Sequence, residues 1–257
     1  VAAIVALLDS RAALTNLRRA FAPERRSVVS CRSVQALDRV LQARLLDVVV
    51  LGLKRVTLPW LELLRTGYPA MPIVVYGTLR PDDGELLLTL LDRYGVADAA
   101  VDGVDDAVVG ELVRRRGLGA LRAEALTDAP RVLRLDDPLQ REAWSYLLRH
   151  AGEPVSTAQV ADALHRSREH LSRQFAAGGA PNLKRVVNFL RLVCAAQLTA
   201  NPAYDLHATA RLLGFSHASH LQATSRRLTG LPATELSRLG PRGVLVAFRR
   251  TGTRSRL

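Results

Sequence analysis

Two short stretches of this 257-residue chain concentrate side chains that hydrogen-bond well and pack poorly. The first holds Arg168, Glu169, Ser172 and Arg173; the second holds His217, Ser219, His220, Gln222, Arg226 and Arg227. Apolar residues are interleaved at helical spacing, Leu171 and Phe175 in one and Leu221 and Leu228 in the other, so each stretch reads as a helix with one face inward. The polar faces suit base edges and phosphates. Arginine pairs with guanine and glutamine with adenine through two hydrogen bonds, each good pair contributing about 1–3 kcal/mol of discrimination. For any one of these side chains a phosphate contact or a solvated face, taken together, is an equal alternative, since half or more of protein–DNA hydrogen bonds go to the backbone. His217 and His220 also have the i, i+3 spacing of a metal pair, but no third ligand lies nearby, which favours a structural or DNA-facing role.

The elements that must position these faces are legible around them. Upstream of the second stretch, Leu206, Ala210 and Leu213 share one helical face, with Thr209 completing the stripe less well. Gly214 then permits the left-handed conformation that ends a helix, and Ser216 is the expected N-cap of the next one. The first stretch has the same layout. Thr157, Val160, Ala161 and Leu164 form the leading helix, His165 stands where glycine would be easier, and Ser167 is the expected cap. Asp137-Pro138 opens a helix running to about His150, with Trp144, Leu147 and Leu148 inward. A connecting helix over 182–199 carries Leu183, Val186, Val187, Leu190, Cys194 and Leu198 on one stripe and stops at Asn201-Pro202. Two helix-turn-helix units held on one connecting helix would meet successive major grooves about 10 base pairs apart.

The motif Ala210-x-x-Leu213-Gly214-Phe215-Ser216, then Leu221 and Gly230, resembles the second helix-turn-helix of AraC/XylS-family transcription regulators. Ser167–Phe175 is similar to the first recognition helix of that family and Arg191–Ala195 to its connecting helix, so the resemblance runs from Asp136 to Gly240. It implies sequence-specific DNA binding and, for the direction of control, activation rather than repression. Three positions depart from the family pattern: Ser225 replaces a core phenylalanine, Leu221 an aromatic, and Ala233 a proline. Nothing in the sequence shows what compensates for the absent phenylalanine.

Charge divides the chain the same way. Residues 1–130 hold 17 Lys and Arg against 16 Asp and Glu, whereas 131–257 hold 19 against 8, so nearly all of the net +12 sits on the second half. That is the electrostatic footprint of a nucleic-acid-binding module, since cationic side chains release counterions condensed on phosphates. Only Lys54 and Lys184 are lysines, so arginine preference in the coding sequence contributes as well. Cys31 and Cys194 make neither a disulfide framework nor a zinc cluster, which favours a reduced, cytoplasmic location. Val1–Leu8 is too short for a membrane span and reads as a strand.

The first half alternates apolar runs, Val1–Leu8, Ser27–Ser30, Val48–Leu51, Ile73–Tyr76 and Ala97–Val101, with amphipathic stretches. The expected fold is an α/β doubly wound, parallel five-stranded sheet followed by an all-α double helix-turn-helix domain. The α/β half is similar to the receiver domain of response regulators. Measured against that resemblance its phosphorylation site is degenerate: Gly52 stands at the nucleophile position, Gly77 at the hydroxyl position beside Thr78, and Asp102 where a lysine belongs. Asp9, followed by Ser10, leaves one carboxylate of the acidic pair, too few to hold magnesium. Asp47 begins its strand rather than ending it and is not a replacement nucleophile.

The expected organisation is therefore a pseudo-receiver over 1–116, a linker over 117–130, a DNA-binding domain over 131–240 and a basic tail over 241–257 that either binds phosphates or is unstructured. Expected partners are promoter DNA, RNA polymerase, and a second copy through the first domain; no cofactor, metal or membrane is expected. The alternative is a pseudo-receiver adapter with weak, non-specific DNA binding. No nucleophile elbow, phosphate loop or ligand cluster points to an enzyme.

Overall fold

The structure is a computed structural model describing residues 2–24, 27–55 and 57–254; Val1 of the expected first strand and residues 255–257 of the expected basic tail lie outside the described residues. The chain divides into two compact units, Ala2–Leu121 with Asn201–Ala203, and Arg122–Ala200 with the described residues from Tyr204 onward.

The first unit is a five-stranded parallel sheet of order β2-β1-β3-β4-β5. Its strands are β1 (Ala3–Leu7), β2 (Val28–Ser30), β3 (Leu46–Leu51), β4 (Ile73–Gly77) and β5 (Asp98–Val101), so β3 starts two residues before its expected position. Between them lie α1 (Arg11–Phe21), α2 (Val34–Ala43), α3 (Leu58–Gly67) and α4 (Gly84–Asp92), with α5 (Val109–Arg116) after β5. Central strands buried on both faces explain the unbroken apolar runs: every residue of β1, β3 and β4 is buried. One face, Ile4, Ala6, Val48, Val50, Val74 and Tyr76, packs with Ala13, Leu17 and Phe21 of α1 and Val109 and Val113 of α5. The strand order reverses between β1 and β3, so the crevice outside their carboxyl ends is where such sheets place a site.

The segment 117–130 contains α6 (Leu118–Ala125) and opens α7 (Ala129–Val132). Asp47, almost wholly buried in β3, accepts from Gly119 N at 2.6 Å and so caps the start of α6. That occupation agrees with its place at the strand's amino end, away from the crevice.

The second unit is helical: α8 (Pro138–Arg149), α9 (Thr157–Ala163), α10 (Arg168–Ala176), α11 (Leu183–Thr199), α12 (Leu206–Leu212), α13 (Ala218–Thr229) and α14 (Leu236–Arg254). The hub is α11, where Phe189, Leu192, Val193 and Ala195 are fully buried. The basic tail expected from residue 241 onward is instead helical. Residues 241–254 belong to α14, which is broken at Gly240 (φ 60°) ahead of Pro241 and buries Val244, Leu245 and Phe248. This segment packs along α11, with the Phe248 and Phe189 rings 4.7 Å apart. Its arginines mask the pattern that orders it, apolar residues recurring at i, i+1 and i+4. No helix among the described residues is long and apolar enough to cross a membrane.

Candidate nucleic-acid interface

Both helix-turn-helix units are built with the same hydrogen-bond pattern at the turn. In the first, His165 N donates to Asp162 O (3.1 Å) and Arg166 N to Ala161 O (2.9 Å); in the second, Gly214 N donates to Arg211 O (3.2 Å) and Phe215 N to Ala210 O (2.8 Å). Both turns place their central residue in the left-handed region, His165 at φ 53° and Gly214 at φ 69°. Gly214 is required twice over, because a Cβ there would lie 2.8 Å from the Pro154 side chain.

After the turns the units differ by one residue. Ser167 caps α10, accepting from His170 N at 3.2 Å, as expected. Ser216 does not cap α13: the N-cap is His217, without a side-chain cap bond, and Ser216 Oγ instead meets His220 Nδ1 at 3.1 Å. The Phe215 ring stands edge-on to His220 as well, so that histidine is held by its own turn.

Arg168, Glu169, Ser172 and Arg173 are all exposed on α10, opposite the buried Leu171 and Phe175. On the second reader His217, Ser219 and Arg226 are exposed while Leu221 and Leu228 are buried. Gln222 is placed differently from its expected role. It is half-buried and its amide oxygen accepts from Ala233 N at 2.8 Å, so the donor–acceptor pair that adenine requires is already half used.

Two positioning residues leave no signal in the sequence pattern. Gln140, 2% exposed, places its amide nitrogen 3.0–3.2 Å from the carbonyls of Gln174, Phe175 and Ala177, tying the end of α10 to α8. Arg191 donates to Leu213 O (3.0 Å) and lies over the Phe215 ring, 3.7 Å from its centroid, which fixes the end of α12; burial lowers its pKa. Both satisfy helix-end carbonyls, a need no periodicity records. The missing phenylalanine is also explained. Ser225 is fully buried, its hydroxyl donates to Leu231 O at 2.8 Å, and its own carbonyl accepts from Thr229 Oγ1 at 2.8 Å, so a local polar closure replaces an aromatic plug.

In the first unit Gly52 directly follows β3, Gly77 ends β4 and Asp102 directly follows β5. Asp9 fills the space between them. A Cβ on Gly52 would collide with Asp9 Oδ2, while the same carboxylate accepts from Lys54 N (3.3 Å) and pairs with Arg55 Nε (3.4 Å). Nearby, Asp106 accepts from the Tyr76 hydroxyl (2.6 Å), Asn16 Nδ2 (2.7 Å) and Gly103 N (2.9 Å). The Tyr76 hydrogen bond, then that of Gly103, lowers the Asp106 pKa; burial, then the bond to Asp106, raises that of Tyr76.

Residues 160–238 match the helix-turn-helix domain family. This segment is an AraC-type helix-turn-helix domain. Among solved structures the chain is similar to the C-terminal domain of AraT, a response regulator from Geobacillus stearothermophilus, at 20% identity over 40% of this chain and 85% of that one, with a TM-score of 0.36. It is also similar to full-length FixJ from B. japonicum (15% identity, 89% and 98% of the two chains, TM-score 0.37) and to the RcsB response regulator of Salmonella typhimurium (16%, 74% and 99%, TM-score 0.38). No curated protein matches. The AraC-type domain makes the chain a DNA-binding transcription regulator with double-stranded DNA as its partner.

Proposed function

We propose that the chain is a site-specific regulator, an activator by family resemblance, whose second domain reads two blocks of promoter DNA and whose first domain delivers a signal other than phosphorylation. The observation that carries the reading is the pair of exposed polar faces on α10 and α13, each set by the same turn geometry and both packed on α11. Arg168, Glu169, Ser172 and Arg173 form one contact set; His217, Ser219 and Arg226 form the other, with Gln222 contributing through its amide nitrogen. Half-sites then lie about 10 base pairs apart. The domain limits proposed are 1–116 for the regulatory part and 131–254 for the DNA-binding part, α14 included. RNA polymerase and a second copy of the chain are the proposed protein partners.

A non-phosphate input is supported by the crevice. No carboxylate follows β3, and Asp9 is already neutralised by Arg55. Selection of binding sites from random duplexes by the full-length protein, at near-physiological salt, tests the main reading. Two enriched blocks one helical turn apart are expected. Salt-sensitive binding without enrichment would replace it with the adapter reading.

A further inference from the structure

The two turns share their backbone and differ in what they carry, and the difference works against stability. A helix end of this type favours glycine at the left-handed position and an apolar residue just after it. The second turn obeys, with Gly214 followed by the buried Phe215. The first turn breaks both rules: His165 holds a conformation that L-residues rarely adopt, and Arg166 stands exposed where its counterpart is a core aromatic. Neither side chain has a hydrogen bond or ion pair among the described residues. Strain and forgone burial without an internal return are the features expected of a contact surface.

The surroundings give that surface a direction. His165 and Arg166 line an open groove of about 890 Å³ whose other walls include His170 and Arg173 of α10 and the first turn of α8. On the α8 side stand two carboxylates, Glu142 and Asp137, the latter held by Leu139 N (2.8 Å) and Gln174 Nε2 (3.3 Å). Arg173 belongs to the first reader's proposed DNA-contacting face, so an anion approaching that face meets His165 and Arg166 on its amino-terminal side.

We propose that His165 and Arg166 grip a backbone phosphate of the DNA bound by α10, making the first turn a contact element and the second a purely structural one. This rests on the DNA-binding reading above. The full-length protein is tested with a duplex from the selection, comparing wild type with His165→Gly and Arg166→Gln. His165→Gly relieves the strained backbone and is expected to raise the thermal midpoint by about 2–4 °C while weakening DNA binding about fivefold to tenfold. A purely structural role would not weaken binding while it stabilises. Arg166→Gln, a change at an exposed position, should lower the slope of log affinity against log salt by about one. Unchanged affinity and slope in both variants would overturn the proposal while leaving the parent reading intact. A wild-type protein that binds no duplex in a salt-dependent way would overturn both.

Discussion

Asp106 shows how much one residue can gather without leaving a trace in the sequence. Its partners Asn16 and Tyr76 lie 90 and 30 positions away, and only the closing of α1, β4 and the loop after β5 brings them together. Because the folded-state pKa is depressed, first by Tyr76 and then by Gly103, the stabilisation is present above the ordinary carboxylate pKa of about 3.9 and disappears as pH falls through the folded value. Thermal midpoints of wild type and Asp106→Asn should therefore differ at pH 7 and converge below about pH 4; parallel curves would remove Asp106 from the account. The crevice at the strand ends, by contrast, is readable residue by residue, because Gly52, Gly77 and Asp102 are defined by the ends of β3, β4 and β5. What the sequence does not reveal is that Asp9 turns to Arg55 and fills the space a side chain at position 52 would take. Gly52→Asp is consequently expected to destabilise by about 1–3 kcal/mol through overpacking and to gain no phosphate when incubated with acetyl phosphate, as read by intact mass. A phosphorylated product would mean that Asp9 yields.

At the level of elements, sequence and structure agree where local chemistry is decisive and diverge where two local choices compete. Asp137 and Ser167 each cap a helix as expected, since each precedes an apolar stripe with no rival, and Asn182, read as the first residue of the connecting helix, is its cap. At α13 the run Ser216-His217 offers two starts, and Ser216 is drawn to His220 instead of the backbone. Ser225 looks like a defect when only its volume is considered. Its bond to Leu231 O and the one from Thr229 make it part of the helix's closure, ahead of the left-handed Gly230. Ser225→Ala should cost about 1 kcal/mol by removing a buried hydrogen bond. Ser225→Phe, which would restore the family residue, should cost about 1–3 kcal/mol or more, because the site is fully buried and already closed. Urea midpoints of the two variants check both; a stabilised Ser225→Phe would show that a cavity awaits the ring.

Across the whole molecule the sharpest asymmetry is electrostatic, and it is visible in composition alone: 19 basic against 8 acidic residues from 131 onward, near balance before. The structure gives that count a scaffold, because α14 orders most of the arginine-rich end and so fixes charge that an unstructured tail would have left diffuse. Neutralising phosphates releases counterions, so affinity should fall with salt at a slope of about −0.9 for each phosphate engaged. If DNA is engaged by the second domain alone, the slope depends on where charge is removed. Changing the exposed Arg18, Arg44 and Arg115 of the first unit to glutamine should leave it unaltered. Changing Arg168, Arg173 and Arg226 should flatten it by about one for each phosphate no longer neutralised and, at any of them that reads a base, relax the selected sequence at that position too. Fluorescence anisotropy on one duplex at several salt concentrations separates the cases. A slope that falls equally for both sets would mean that DNA runs over both units, and the division of labour between a neutral regulatory domain and a basic reading domain would then be wrong.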